Sequence, residues 1–147
     1  MRTEDKTFFY ALSDLDAMAL TVYAEARGEP WEGKLAVGFI IVNRSRLWKK
    51  SIKDVCYQKN QFSCYNSNDK QYDHIVSKAK YWNRDDENDF ILVAQTALHG
   101  WQESIISDAT FYKVTGTKNK WFDGSIKNGK LIMVCEIGHH QFFKEAL

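Results

Sequence analysis

The only proline of this 147-residue chain, Pro30, separates two segments whose apolar residues recur at helical spacing. Ser13 suits the N-cap of the first helix, because Asp16 stands three residues later as the acidic half of a capping box. Gly28 predicts the end of this helix. Pro30 favours the start of a second helix, and the pattern extends it to about Leu47. The first third of the chain is therefore expected to form a helical core.

The remaining sequence predicts further helices followed by a small sheet. We predict mostly loop over residues 51–73, a short helix over 75–82, and a strong helix over 88–99 that ends at Gly100. Three later runs, "ATFYKV", "KWF" and "KLIMVCEIG", are typical of strands, and "DG" and "NG" mark turns between them. This order predicts an α+β fold in a single domain over residues 1–147.

Charge and cysteine content exclude several classes of protein. A net charge of +1 provides no basic surface of the kind that nucleic-acid partners require. No apolar stretch is long enough for membrane insertion, and the N-terminus lacks the apolar core of a signal peptide. We therefore expect a chain made in the cytoplasm that acts outside the cell only after release. Cys56, Cys64 and Cys135 predict reduced thiols rather than a disulfide framework.

Two carboxylates, Glu25 and Glu29, stand four residues apart on either side of the predicted helix end. Glu25 borders the apolar stripe near a helix C-terminus. Desolvation and the helix dipole there both raise a carboxyl pKa and favour a neutral acid that can donate a proton. Glu29 and Glu32 flank the start of the second helix, where negative charge is favourable, so we interpret them as structural. A surface ion pair between Glu25 and Arg27 is the alternative interpretation.

Uncharged polar side chains outside the helices are candidates for substrate binding. The stretch "QFSC" places two hydrogen-bonding side chains around Phe62, which we expect in the core. In "ATFY", strand alternation predicts that Phe111 packs inward and that the residues on either side of it line a cleft. The substrate-binding residues predicted in these two stretches are Gln61, Ser63, Thr110 and Tyr112.

Cysteine and histidine allow two further interpretations. The spacings of the cysteines and of the two adjacent histidines match no tight zinc pattern, so we predict no metal site and no cofactor. A nucleophilic pair of Cys64 with His139 would instead make the chain an amidase or peptidase. Sensitivity to a thiol-blocking reagent would distinguish that activity from chemistry at Glu25.

Five stretches in series carry a resemblance to a known family. They are "YAEARGEPWEGKLAVGFIIVNR", "QFSC", "AQTALHG", "ATFY" and "IGHHQFF", and the resemblance spans residues 16–143. On these motifs the chain resembles the cell-wall hydrolases related to bacterial spore-cortex-lytic enzymes. The resemblance implies a lysozyme-like fold, in which a mainly helical lobe carries the catalytic glutamate and a small antiparallel β lobe lies opposite.

The resemblance also implies an activity. Members cleave the β-1,4 bond between N-acetylmuramic acid and N-acetylglucosamine in peptidoglycan glycan strands, and Glu25 matches their catalytic acid. His139 would then orient substrate. The motifs supply one carboxylate, which suits a lytic transglycosylase. A muramidase or glucosaminidase would need a second one, for which Asp69 and Asp73 are candidates. A peptidoglycan-binding module without turnover is a further alternative.

The chain departs from the family pattern at the rim of the expected β lobe. Lys113 and Val114 stand where the family commonly has an Asn-Pro pair, and the insert "FDGSIKNGKL" is long. We expect both differences to affect which glycan strands or peptides the protein prefers. A lone domain without a signal peptide suits a phage or prophage lysin or a virion component, and we expect it to act as a monomer.

Overall fold

The computed structural model describes residues 1–146, apart from the side chain of Trp101. Most helices come first, and a small sheet with one further helix between its first two strands closes the chain, which confirms the predicted α+β class. The helices are α1 (Lys6–Tyr10), α2 (Asp14–Ala26), α3 (Trp31–Trp48), α4 (Ile52–Tyr57), α5 (Tyr72–Lys80), α6 (Asn88–His99) and α7 (Lys120–Lys127). Strands β1 (Phe111–Val114), β2 (Leu131–Ile137) and β3 (His140–Glu145) form an antiparallel sheet in the order β1-β3-β2.

Helix α2 begins where the sequence predicts. The Ser13 hydroxyl accepts a hydrogen bond from the backbone N–H of Asp16 at 3.1 Å and donates one to its carboxylate at 2.8 Å. This cap satisfies one of the free N–H groups at the helix start. The helix ends at Ala26, so Glu25 lies in its last turn.

Helix α3 is the central helix of the fold. Pro30 is its N-cap rather than its first helical residue, and the helix continues to Trp48, one residue beyond the predicted end. Every residue from Ala36 to Arg44 is buried, so other elements surround this part of the helix on all sides. Lys49, in the left-handed conformation with φ 54°, ends the helix.

Two polar residues of α3 connect the helical core to the segment that enters β1. Asn43 donates from Nδ2 to the carbonyl oxygens of Ser107 and Ala109 at 3.0 and 2.8 Å. Arg44 donates from Nε to the carbonyl oxygen of Thr110 at 2.6 Å. These bonds satisfy buried carbonyl groups and fix where β1 starts relative to α3.

Two segments differ from the sequence prediction. Residues 51–73, predicted as mostly loop, contain α4, and the Ser51 hydroxyl caps it by accepting from the Asp54 N–H at 3.1 Å. The "KWF" run, predicted as a strand, lies in α7, where Asn119 Oδ1 accepts from the Phe122 N–H at 3.0 Å. The "DG" pair lies inside this helix and is not a turn. The period of a short apolar run does not distinguish a helix from a strand. In both segments a capping residue, Ser51 or Asn119, favours the helix.

The core contains the aromatic residue predicted for it, Phe62, which is 1% exposed. Cys56 and Cys64 are buried and free, whereas Cys135 is free and partly exposed. No helix in the described part of the chain is long and apolar enough to cross a membrane.

Candidate active site

A cleft of about 500 Å³, here called the Glu25 cleft, lies where the helical core meets the sheet. Residues from α2, α3, the loop after α4, β1, β3 and the α7 region form its walls. It is lined by Glu25, Arg44, Asn60, Gln61, Ser63, Phe111, Tyr112, Lys113, Val114, Asn119, Trp121, Phe122 and His140. Among these lining residues of the described chain, Glu25 alone carries a carboxylate. Glu25 is therefore the candidate carboxylic acid for proton donation in this cleft.

Glu25 reaches the sheet from the last turn of α2. Its Oε1 accepts a hydrogen bond from the Tyr112 hydroxyl at 2.8 Å. Burial raises the pKa of Glu25 above its ordinary value, and the charge of Asp69 adds to this rise. The hydrogen bond from Tyr112 and the charge of Arg44 oppose it. The raised pKa agrees with the direction predicted from the apolar stripe. A carboxyl group in this state can act as a general acid.

Tyr112 is held in place by its strand and by two neighbouring rings. It pairs with Phe142 across β1 and β3, and the two rings stack with centroids 5.8 Å apart. Its ring and that of His140 are nearly perpendicular, with centroids 5.0 Å apart. Burial raises the pKa of Tyr112 well above its ordinary value, so the phenol stays neutral and donates to Glu25. Since Oε1 accepts this bond, Oε2 of Glu25 is left to hold the acid proton.

Arg44 is the functional candidate that the sequence analysis missed. Its guanidinium is 5.1 Å from the ring centroids of Trp48 and Phe62 and 5.3 Å from that of Phe111. The residue is 3% exposed, and its buried Nη1 has no hydrogen-bond partner among the residues that the structure describes. Burial lowers the pKa of Arg44 to about 10, so it is positively charged at neutral pH. A charged residue at the end of a long apolar run is the signal that could have indicated it.

Glu29 lies in a different environment, between α3 and the turn from β2 to β3. It is buried, with Oε1 accepting from the backbone N–H of His139 at 2.9 Å and Oε2 lying 2.7 Å from His139 Nδ1. Its Oε1 also lies 3.1 Å from Nδ1 of His140. Burial acts to raise the pKa of Glu29, but the hydrogen bonds from His139 and the charges of both histidines outweigh it and lower the pKa. Glu29 is therefore an ionised link between the two lobes.

The turn that Glu29 contacts depends on a glycine. Gly138 has φ 58°, and a Cβ atom built on it would lie 3.1 Å from Oε1 of Glu29. Both the backbone conformation and this close approach favour glycine here.

The structure places His140 rather than His139 in the wall of the Glu25 cleft. The side chain of His139 is 82% exposed and turns to Glu29, whereas His140 is buried beside Tyr112. The sequence analysis names His139, not His140, as the residue that orients substrate. His139 lies in the turn from β2 to β3, whereas His140 is the first residue of β3, and this placement depends on a register that the sequence alone does not give. Burial lowers the pKa of His140, and the charge of Glu29 opposes this change.

The predicted orientations in "ATFY" are only partly correct. Tyr112 lines the cleft, but Thr110 is 1% exposed and is not among the lining residues, so its predicted position on the cleft wall is wrong. Phe111, predicted to pack inward, lines the cleft and contacts Trp121 and Phe122. The reason is that α7 packs against the face of β1 that carries Phe111, which was expected to face the core.

Gln61 and Ser63 line the cleft, as predicted. Cys64, the next residue, is not among the lining residues. Cys64 is buried, and burial raises its pKa well above the ordinary value, so the thiolate is disfavoured. This environment argues against a nucleophilic pair of Cys64 with His139. Within the described residues, no three His, Cys, Asp or Glu side chains are grouped so that they could hold a metal ion.

The opposite wall of the cleft is aromatic and more exposed. Trp121 is 56% exposed, and its ring centroid lies 5.3 Å from that of Phe111. Lys113 bridges β1 and α7 by pairing with Asp123 at 3.5 Å. Lys113 and Val114, which depart from the family pattern, and Phe122, the first residue of the insert, therefore lie on this wall.

Comparison with known proteins identifies related sequences. Residues 28–143 match the family described as Cell Wall Hydrolase. The chain is similar to the spore cortex-lytic enzyme of Oceanobacillus iheyensis, with 31% identity over 101 residues, 63% of this chain and 37% of that protein. It is similar to the Bacillus subtilis enzyme of the same description at 27% identity, over 63% of this chain and 33% of that protein. The matched part is thus about a third of the length of these relatives.

Solved structures share the fold. The catalytic domain of the germination-specific lytic transglycosylase SleB from Bacillus anthracis is 24% identical with a TM-score of 0.66, covering 89% of this chain and 93% of that one. The catalytic domain of the Bacillus cereus SleB protein is 24% identical with a TM-score of 0.65, covering 89% of each chain. These similarities confirm the predicted lysozyme-like fold. Glu25 precedes the family match, so its assignment depends on the geometry of the cleft.

Proposed function

The chain belongs to the Cell Wall Hydrolase family, and we propose that it is a lytic transglycosylase that cleaves the β-1,4 bond between N-acetylmuramic acid and N-acetylglucosamine in peptidoglycan. The observation that carries this proposal is the state of Glu25. It is the one carboxylate among the described residues that line the cleft, and its pKa is raised. The names of the related enzymes and of the SleB domain support the choice of substrate.

In the proposed reaction, Glu25 acts first as an acid and then as a base. Its Oε2 donates a proton to the glycosidic oxygen, and the bond from that oxygen to C1 of the muramoyl residue breaks. The C6 hydroxyl of the same residue then bonds to C1 and returns its proton to the Glu25 carboxylate. The products are a free N-acetylglucosamine hydroxyl and a 1,6-anhydromuramoyl end, and no water is consumed.

Two neighbours of Glu25 favour its ionised state between these steps. The Tyr112 hydroxyl, 2.8 Å from Oε1, donates a stronger hydrogen bond to a carboxylate than to a carboxylic acid. The buried charge of Arg44 also favours the carboxylate. Both interactions are in place before the reaction and need little rearrangement, as electrostatic stabilisation of a transition state requires.

Hydrolysis would need a second carboxylate across the scissile bond. Neither candidate from the sequence is among the residues that line the cleft. Asp69 Oδ1 accepts from the Gln71 N–H at 2.8 Å and so stabilises a turn, and Asp73 is exposed and pairs with Arg2 at 3.1 Å. These placements favour the route with one carboxylate.

Mass spectrometry of the muropeptides released from purified peptidoglycan tests the proposal. We expect disaccharide peptides that are lighter by one water than reducing muropeptides, and we expect none with the Glu25→Gln variant. Reducing muramic acid or glucosamine ends would indicate a hydrolase instead. Free stem peptides, with intact glycan strands, would indicate an amidase.

A further inference from the structure

A second cavity, larger than the Glu25 cleft, opens beside the same loop. It has a volume of about 680 Å³ and lies between the N-terminal segment, including Lys6 and Tyr10, and residues 57–60 and 65–68. We call it the loop cavity. Both volumes fall in the range of about 300–1,000 Å³ that is common for ligand-binding sites.

The side chains around the loop cavity suit an uncharged polar ligand. Gln58, Asn60, Asn66, Ser67 and Asn68 supply amide and hydroxyl groups, which donate to and accept from sugar hydroxyl and acetamido groups. Two lysines also line the cavity, and none of its described lining residues carries a carboxylate. This positive charge complements the carboxylates of stem peptides attached to a glycan strand.

Aromatic rings form the apolar part of the cavity and are fixed in position. The Tyr57 hydroxyl donates to the Phe9 carbonyl oxygen at 2.9 Å, and the Tyr65 hydroxyl bonds with Thr21 at 2.7 Å. Tyr10 meets Tyr57 edge to face with centroids 5.3 Å apart, and it is 49% exposed. A ring that is both held and half exposed offers a flat apolar surface without a large loss of conformational freedom on binding.

One amide is also held ready to donate. Gln58 Oε1 accepts from Lys50 Nζ at 2.7 Å, so its NH₂ group remains available to a ligand.

The two cavities meet at Asn60. This residue lines both, and its backbone is left-handed with φ 63°. Gln61 and Ser63 follow it into the Glu25 cleft, while Gln58 precedes it in the loop cavity. A single loop therefore presents polar side chains on both sides of one ridge.

We propose that the loop cavity binds a distal part of the same glycan strand whose bond is broken at Glu25, with the strand crossing the ridge at Asn60. This inference rests on the proposed function, because a polymeric substrate extends beyond the Glu25 cleft. The loop cavity then selects long strands over short fragments. It contributes to binding and takes no part in the chemical step.

The test compares strands of two lengths. Tyr10→Ala removes the exposed ring at the rim, and Asn68→Ala removes an amide; neither residue lines the Glu25 cleft. Tyr81→Ala is the matched control, since Tyr81 is 72% exposed and lines neither cavity. Turnover is measured on a peptidoglycan tetrasaccharide and on a strand of at least six disaccharide units.

We expect wild type to have a lower KM for the long strand than for the tetrasaccharide. Tyr10→Ala should raise the long-strand KM about tenfold, as loss of an aromatic anchor does, and leave kcat unchanged. Asn68→Ala should raise it less, and Tyr81→Ala should match wild type. Tyr10→Phe should also match wild type, because it keeps the ring. Equal effects of Tyr10→Ala on both lengths, or no effect on either, would overturn the proposal.

The affinity of the Glu25→Gln variant for the two strands, measured by titration calorimetry, separates this proposal from the proposed function. The proposal is supported if the Glu25→Gln variant binds the long strand more tightly than the tetrasaccharide, and if adding Tyr10→Ala to this variant weakens binding of the long strand. This support does not depend on which products the wild type makes. Equal affinity for both lengths would contradict it, even where the products are those of a transglycosylase.

Discussion

The surroundings of Glu25 and of Glu29 show how two identical side chains, four residues apart, acquire opposite properties. Glu25 faces a cleft, and burial raises its pKa, with the hydrogen bond from the neutral Tyr112 hydroxyl and the charge of Arg44 opposing the rise. Glu29 is also buried, but a backbone N–H and two histidines surround its carboxylate and lower its pKa. Burial alone therefore does not make a general acid. The number and charge of the neighbouring donors decide which carboxylate keeps its proton.

The largest expected effect comes from Glu25→Gln. This near-isosteric change should lower peptidoglycan cleavage by about 10²–10⁴-fold, because it removes the general acid. It should also raise the free energy of unfolding at neutral pH, since the folded-state pKa of Glu25 is raised and its ionisation opposes folding. Activity assays and urea denaturation check both results, with the exposed Glu32→Gln as control. A folded Glu25→Gln variant with most of its activity would rule out the proposed mechanism.

Tyr112→Phe should have the next largest effect. It keeps the ring that stacks on Phe142 and deletes the hydroxyl that donates to Glu25. A hydrogen bond to a charged group contributes about 1.5–3 kcal/mol, so we expect a loss in kcat of about 10–100-fold. Without this donor the carboxylate is less favoured, so the fall in activity at alkaline pH should move to higher pH. An unchanged kcat and pH profile would show that Tyr112 only supports packing.

Arg44→Met tests the buried charge beside the cleft. Methionine keeps an apolar side chain among the three rings but leaves the Thr110 carbonyl oxygen without the donor 2.6 Å away. An unsatisfied buried group costs about 1–3 kcal/mol, which denaturation should detect. Removal of the positive charge should raise the pKa of Glu25 further and move the alkaline limb of the pH–rate profile upward. A pH profile identical to that of wild type would limit Arg44 to a structural role.

Glu29→Gln should have the smallest effect on catalysis and a clear effect on stability. Its folded-state pKa is lowered, so the ionised group stabilises the protein above the unfolded-state pKa of about 4.3. This contribution is lost as the pH falls through the folded-state pKa. Wild type should therefore lose stability on acidification below about pH 4.3, and Glu29→Gln should lose less. Thermal unfolding as a function of pH measures the difference; a catalytic loss as large as that of Glu25→Gln would require a mechanism with two carboxylates.

The sequence predicted what depends on local interactions. The Ser13 cap, helices α2, α3 and α6, and the position of Glu25 at the edge of an apolar stripe all depend on residues within a few positions of one another. These features are fixed by helix period and capping, which are readable in one sequence.

The parts that could not be predicted depend on contacts distant in sequence. Arg44 meets the Thr110 carbonyl 66 positions away, and His139 meets Glu29 110 positions away. Strand alternation within "ATFY" places Phe111 in the core, but it gives no information about α7, which packs against Phe111 from a segment predicted as a strand.

The most direct test of the central claim is a titration of both glutamate side chains in the wild-type protein by carbon-13 NMR, with signals assigned from Glu25→Gln and Glu29→Gln. The structure predicts a pKa for Glu25 above the ordinary value of about 4.3 and one for Glu29 below it. A pKa for Glu25 at or below that of Glu29 would contradict the claim that Glu25 is the neutral acid of the cleft.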